Sequence, residues 1–391
     1  MAPSTPLKIF IVTGEHSGDA LGGKLMSALR GALPGREISF AGLGGAAMEA
    51  EGLASLFPLD DVIVMGPLAI ARDYPRLRRR AFEVIDAAVS SEPDALIIID
   101  APELTHPIAK RVRKQRADLP VINYVSPSVW AWRPGRAKKM RRYIDHVLAL
   151  LPFEPAVHEQ LGGPECTYVG HPLVERLASI DTLDTHAFAT RLGLQPNRKR
   201  LVVLPGSRTS EVSRLLRPFG ETVADLAKRV DLEVLVPAVP RQKETIENAV
   251  QSWPAPTYVL DGDDDKWSAL KLADAALAAS GTVTLEVAVS GTPMVVGYKV
   301  DLLAWQLRFL MTAPSIVLAN LVLDENAFPE FIQHRCEAAD LTPAVEALLT
   351  ETPERARQVM ALAKIRNRME LDGQRPSEKA AAVIRDVLQA T

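Results

Sequence analysis

Short, almost wholly apolar runs recur along the chain, each ending in a small or turn-forming residue and each followed by apolar positions at helical spacing. KIFIVTG (8–14) is the first, and reads as a buried parallel strand. Ser17 or Asp19 is placed to cap the next helix, which carries ALGGKLMSALRGAL. Further strands are expected at 37–45, 95–102, 121–127 and 146–152, with helical stretches such as 79–91 and 106–117 between them. A second series follows at 200–207, 232–238, 257–262, 275–280 and 293–298, with a helix starting near Glu211. Strands of this kind alternating with helices predict two tandem Rossmann-like, doubly wound α/β domains. The expected boundaries are 1–172 and 173–355, with a charged helical tail, 356–391, packing back on the first domain. Open α/β sheets bind ligands at the carboxyl ends of their strands, so a cleft between the two domains is the expected site.

Composition narrows the class. An apolar fraction of 47% with 24% charged residues excludes a disordered or fibrous chain. Cys166 and Cys336 cannot build a disulfide framework or a zinc knuckle, and suit a reducing compartment. The start, MAPSTPLKIFIVTG, lacks a basic-then-apolar leader, and no uncharged apolar stretch reaches the ~18 residues of a membrane span. An unexported protein is expected. The net charge of −3 conceals a concentration of positive charge: residues 101–142 hold 11 basic residues against two acidic ones. Arg72 to Arg80 add five arginines and one aspartate. Such patches suit nucleic acid, an anionic membrane or a phosphorylated substrate; solvated helix faces are the plain alternative.

Several motifs invite chemistry. GDALGGKL (18–25) nearly matches a phosphate loop, but Leu25 stands where a magnesium-binding hydroxyl is required. The preceding TGEHSGD is a turn in which Gly14 and Ser17 would face the cleft. DGDDDK (261–266) could gather a divalent metal, or simply place acidic residues at a helix start. ASGTVTLEV (279–287) presents Ser280, Gly281 and Thr282 at a strand exit, where N–H groups and hydroxyls would bind a diphosphate without metal. Glu286, about one turn further, could accept hydrogen bonds from a ribose diol. LPGSRTSEV (204–212) offers Arg208 as a charge-assisted phosphate donor. In IIIDAPE, Asp100 ends a buried strand, either capping the next loop or acting as a general base.

Together with GLGGAAMEAEG (42–52), MGPLAI (65–70), YVSPSVWAWRPGR (124–136), LPFE (151–154), VGHP (169–172), PMVVGYK (293–299) and LANLVL (318–323), these motifs resemble the lipid-A-disaccharide synthase family over almost the whole chain. SPSVWAWR is the most specific of them. The chain departs from the family's usual residues in three places: His16, the ELTH segment that follows Asp-Ala-Pro, and Ala319.

The resemblance implies a glycosyltransferase of the two-Rossmann-domain GT-B type. Its reaction joins UDP-2,3-diacylglucosamine to 2,3-diacylglucosamine 1-phosphate, giving the β-1′,6-linked disaccharide 1-phosphate and UDP. It implies Asp100 as base, with Arg208, Ser280, Gly281, Thr282, Glu286 and Asn320 around the nucleotide and its departing diphosphate. No metal, cofactor or nucleic acid is implied, and a homodimer is compatible with the sequence. Acylated substrates imply a cytoplasmic enzyme bound peripherally to the inner-membrane surface. MGPLAIARDYPRLRRR (65–80) is the expected membrane contact, through Met65, Leu68 and Ile70 with Arg76, Arg78 and Arg79 beside anionic headgroups. The apolar 301–323 segment is the competing candidate, expected instead to lie in the core. Two alternatives stay open from the residues alone. One is another UDP-sugar enzyme of this fold, a UDP-N-acetylglucosamine 2-epimerase or a lipid-linked N-acetylglucosaminyltransferase. The other is a non-catalytic nucleotide-binding regulator that meets nucleic acid through 101–142, with Trp130 and Trp132 stacking on bases.

Overall fold

The computed structural model describes residues 6–63, 67–301, 305–306 and 308–390. The chain divides into two compact units: residues 1–174 with 371–391, and residues 175–370.

The first unit carries a seven-stranded parallel sheet, β1 (Leu7–Thr13), β2 (Ile38–Leu43), β3 (Ala54–Ser55), β4 (Ala95–Ile99), β5 (Val121–Tyr124), β6 (His146–Ala149) and β7 (Glu165–Tyr168). The order is β3-β2-β1-β4-β5-β6-β7, so the winding direction reverses between β1 and β4. Thr13 pairs with Ile99 there, which sets the exits of β1 and β4 side by side. All five residues of β4 are buried, as the continuous apolar run requires of a strand covered on both faces. The helix Pro376–Ala390 completes one covering layer. Its Ala380, Ala381 and Ile384 join Leu25, Met26 and Leu29 of the helix His16–Ala32 in one core cluster.

The second unit is built the same way from β8 (Lys199–Leu204), β9 (Leu232–Pro237), β10 (Thr257–Leu260), β11 (Ala275–Ala278), β12 (Met294–Tyr298) and β13 (Glu330–Ile332). Its order is β10-β9-β8-β11-β12-β13, all parallel, with the reversal between β8 and β11. The expected tail is divided between the units: Pro353–Met369 belongs to the second, where its Gln358 amide bonds both the N–H and the carbonyl of Met294.

Three local expectations change. The helix after β1 starts at His16 with Glu15 at its cap position and no capping side chain, so neither Ser17 nor Asp19 caps it. Asp19 is buried and instead accepts hydrogen bonds from Gly45, Ala47 and Met48 N–H, capping the short helix Ala46–Ala50 from a distance. The helix expected at 79–91 begins twelve residues earlier, at Pro67, and carries Pro75 within it. Within 301–323, Leu318–Leu323 is largely buried, but Phe309, Leu310 and Met311 are 75%, 47% and 50% exposed on a 3₁₀ turn. The core assignment fails for those three residues because the turn carries them out of the packed layer.

Candidate functional site

Ligand sites in open α/β sheets form where the strand order reverses. In the first unit that point is occupied by the exits of β1 and β4. Asp100 and Ala101 follow β4 with φ of +52° and +44°, two consecutive non-glycine residues in the left-handed region. Such strain costs of order 1–3 kcal/mol per residue and persists only where the surroundings enforce it. They do so here. Asp100 N–H donates to Tyr124 carbonyl (3.0 Å), and Thr105 Oγ1 donates to the carbonyls of Asp100 (2.7 Å) and Ala101 (3.1 Å). Gly14, at the exit of β1, lies where a Cβ would be 2.8 Å from Ala101 Cβ, so only glycine lets the two loops pack together. The Asp100 carboxylate accepts from Ala101 N–H (2.8 Å) and does not cap the helix Pro102–Gln115, whose cap position is Ala101 without a side-chain bond. Burial holds the Asp100 carboxyl above its ordinary range, opposed by that N–H. Ser17 is exposed on the first turn of its helix. The near phosphate loop is inside the same helix, with Gly18, Gly22, Gly23 and Leu25 buried, and therefore a packing face.

The SPSVWAWR segment is held from beneath. Trp130 Nε1 donates to Glu154 Oε1 (3.2 Å), Leu151 N–H donates to Oε2 (3.0 Å), and Ser126 Oγ lies 2.9 Å from His158 Nε2. Burial pushes the Glu154 carboxyl up to about 7 and the His158 imidazole down to about 4. The Trp130 ring meets Phe153 edge-on, leaving Trp132 as the exposed indole of the pair. The base-stacking reading needs both, and so it loses half its support.

In the second unit, the exits of β8 and β11 form a cavity of about 550 Å³. Gly206, Ser207 and Arg208 supply one side, Ala279 to Thr282 the other, and Glu286 the far wall. Glu211 organises the first loop from below: its Oε2 accepts from Ser207 N–H (3.2 Å) and Arg208 N–H (3.3 Å), its Oε1 from Arg208 Nη1 (3.0 Å) and Tyr298 hydroxyl (3.3 Å). Ser280 Oγ donates to Ile316 carbonyl (2.7 Å), which fixes the second loop. Ser280, Gly281 and Thr282 precede the helix Val283–Val289 rather than forming its first turn, and that helix is only seven residues long. An anion at this point would meet loop N–H groups more than a helix dipole.

Sequence reasoning missed Lys266. It lines the same cavity, between Asp263 (3.1 Å) and Glu286 (3.2 Å). It also missed Val239 and Pro240, although the exits of β9 and β10 are the neighbouring positions that the strand pattern marks. Asn320 is elsewhere: it is buried, its amide donating to Phe328 carbonyl (2.9 Å) and accepting from Phe328 N–H (2.9 Å). Both ends of that side chain hold a loop. Three of the four carboxylates of 261–266 are similarly committed, Asp261 to Lys243, Asp263 to Arg176 and Lys266, and Asp265 to Arg191. Among the described residues, no group of three or more His, Cys, Asp or Glu is arranged to hold a metal ion.

Met65 lies outside the described residues, and of Leu68 and Ile70 only the backbone is described, within the helix Pro67–Ser90. On that helix Arg76 pairs with Asp73 and Arg79 with Glu83, while Arg78 lies over the Phe82 ring. Tyr74 is 59% and Phe82 38% exposed. No helix of the described residues is long and apolar enough to cross a membrane.

Comparison with known proteins bears on the whole chain. The family model described as lipid-A-disaccharide synthetase matches residues 9–384. The lipid-A-disaccharide synthase of Rhodopseudomonas palustris (strain HaA2) is 46% identical over 384 residues, covering 98% of this chain and 96% of that protein. That of Rhodospirillum centenum is 43% identical over 385 residues, covering 98% and 95%. Among solved structures, UDP-GlcNAc 2-epimerase from Neisseria meningitidis bound to UDP-GlcNAc superposes with a TM-score of 0.64 at 13% identity, covering 98% of this chain and 100% of that one. MurG from Acinetobacter baumannii gives 0.59 at 14% identity, covering 99% and 100%. At such identities these two show the fold alone. The chain belongs to the lipid-A-disaccharide synthase family.

Proposed function

We propose that Asp100 is the general base of the reaction, and that the cavity at the exits of β8 and β11 holds the uridine diphosphate of the donor. The enzyme is a glycosyltransferase that condenses UDP-2,3-diacylglucosamine with 2,3-diacylglucosamine 1-phosphate, giving the β-1′,6-linked disaccharide 1-phosphate and UDP. The epimerase and regulator readings fall with the family assignment. A donor linked α to UDP that yields a β product must be attacked from the face opposite the nucleotide. The base must therefore come from a group other than those that hold the nucleotide, and Asp100 is not among the residues lining the cavity. The observation that carries the reading is the strained Asp100–Ala101 turn at the switch point of the first sheet. A half-buried carboxyl there, held above its ordinary range by burial, is suited to accept a proton from the acceptor's 6-hydroxyl as it attacks. Arg208, Lys266 and the loop N–H groups of 280–282 would meet the negative charge that grows on the departing UDP. Glu286, paired with Lys266 at 3.2 Å, would accept hydrogen bonds from the ribose diol.

The product itself is the test. Purified enzyme given both acylated sugars should release one UDP per disaccharide, with a β-configured new bond by NMR. An α bond would place the base on the nucleotide side and overturn the reading.

Docking on anionic membrane through the helix Pro67–Ser90 belongs to the same proposal. It rests on exposed Tyr74 and Phe82 beside Arg76, Arg78 and Arg79, each basic residue adding about 1 kcal/mol near an anionic surface. Replacing those three arginines by Gln should release the enzyme from phosphatidylglycerol vesicles in a flotation assay at unchanged melting temperature. Undiminished binding, lost instead on Phe309→Ser, would move the docking surface to the second unit.

A further inference from the structure

The first unit holds a second concavity, of about 1020 Å³, between the helix Pro102–Gln115 and the segment around the helix Gly135–Met140. Lys110, Arg111 and Lys114 line it from one side, and Arg136, Lys139 and Arg142 from the other. Lys110, Arg111 and Lys114 share one face of their helix, and Arg136 and Lys139 stand three residues apart on the other, with Arg142 in the turn that follows it. One carboxylate, Glu103, is among the lining residues, and it is engaged by Arg136 at 2.6 Å. Among the described residues, Lys110, Lys114, Lys139 and Arg142 form no ion pair. By contrast Arg113, on the same helix but outside the groove, is paired with Asp145. A chain of net charge −3 has gathered unneutralised positive charge into a hollow, where like charges repel unless an anion joins them.

We propose that this groove is the subsite for the 1-phosphate of the acceptor, an inference that rests on Asp100 being the base. Its near end is formed by Pro102 and Glu103, two and three residues beyond Asp100 and within the first ~5 Å turn of the helix. The acceptor's 6-hydroxyl and 1-phosphate flank the ring oxygen of one pyranose, on C6 and on C1. A hydroxyl at Asp100 therefore keeps the phosphate within one sugar's reach of the groove's near end. The floor adds an uncharged pair, His106 Nδ1 at 3.2 Å from the Tyr143 hydroxyl, with the imidazole kept neutral by burial, so no carboxylate there opposes an anion. At the rim Arg133 takes φ +54° and lies 3.9 Å over the exposed Trp132 ring, a strained residue of the kind that collects at binding sites. A phosphomonoester dianion, with three acceptor oxygens, can engage cations from both sides of the groove at once.

The test is the double variant Lys139→Gln/Arg142→Gln, both positions being exposed and outside the machinery assigned to Asp100. In detergent micelles, kcat/KM is measured for 2,3-diacylglucosamine 1-phosphate and for the same sugar with a methyl group in place of the phosphate. Loss of two charge-assisted contacts should lower kcat/KM for the phosphorylated acceptor about 30- to 100-fold, and that for the methyl glycoside less than twofold, with donor KM unchanged. If the wild type turns over the methyl glycoside too slowly to measure, its inhibition constant serves in its place. Equal losses on both acceptors, or no loss on either, overturn the proposal. So does unchanged micellar kinetics with lost binding to phosphatidylglycerol vesicles, which would make the groove a phospholipid headgroup site, or with lost salt-sensitive RNA retention, which would make it a nucleic-acid surface. Asp100→Asn that retains turnover while the double variant still discriminates between acceptors would remove the base and leave the phosphate subsite standing.

Discussion

A Gly206→Ala variant is expected to bind UDP at least about tenfold more weakly than the wild type and to melt at a lower temperature. The reason is local. Gly206 has φ +110°, which residues with a side chain rarely adopt, and an added Cβ would lie 2.7 Å from Glu211 Cβ and 2.8 Å from its Oε2. Glu211 is buried and cannot retreat without releasing the N–H groups of Ser207 and Arg208 and the Arg208 guanidinium. The loop must shift instead. Backbone strain of this kind costs on the order of 1–3 kcal/mol, and the shift also misplaces the groups that would meet the diphosphate. Calorimetric titration with UDP, beside a melting curve, reads both effects. UDP affinity within twofold of wild type would show that the loop from 205 to 208 does not hold the nucleotide.

How much of this was legible beforehand follows from which forces are local. Buried parallel strands declare themselves as unbroken apolar runs, so β1, β4, β5, β8 and β9 lie where the pattern put them, to within two or three residues. The outlying strands β3, β7 and β13 went unread. They have two, four and three residues and are only partly buried, so no continuous apolar run marks them. The helix from Pro67 was read late because Pro75 and the crowded arginines obscure its period. Asp19 was assigned to the nearest helix start, whereas its carboxylate bonds N–H groups 26 to 29 residues away, which no local rule reports.

The site divides along the same line. Gly14, Asp100, Gly206, Arg208 and Ser280 sit at strand exits, and strand exits are readable. Asn320 was drawn to the nucleotide by resemblance, yet its amide is spent on Phe328, a contact that depends on how a distant loop folds back. Lys266 escaped notice inside an acidic run that looked like a metal cluster or a helix start. Its partner Glu286 is 20 residues on, and only the folded sheet makes the two neighbours.

Asp100 carries the central claim. Asparagine keeps the side-chain oxygen that accepts from Ala101 N–H and nearly the same volume, so the strained turn should survive the substitution. What it removes is the capacity to take a proton, and a positioned base is worth roughly 10²–10⁴-fold in rate. The cavity assigned to UDP is lined wholly by residues 204–286 of the second unit, whereas Asp100 belongs to the first. The decisive measurement is therefore single-turnover formation of the disaccharide by Asp100→Asn, with UDP affinity determined on the same preparation. The account predicts a rate at least about a hundredfold below wild type with UDP affinity unchanged. A rate above about a tenth of wild type would contradict it, because no general base can be lost so cheaply.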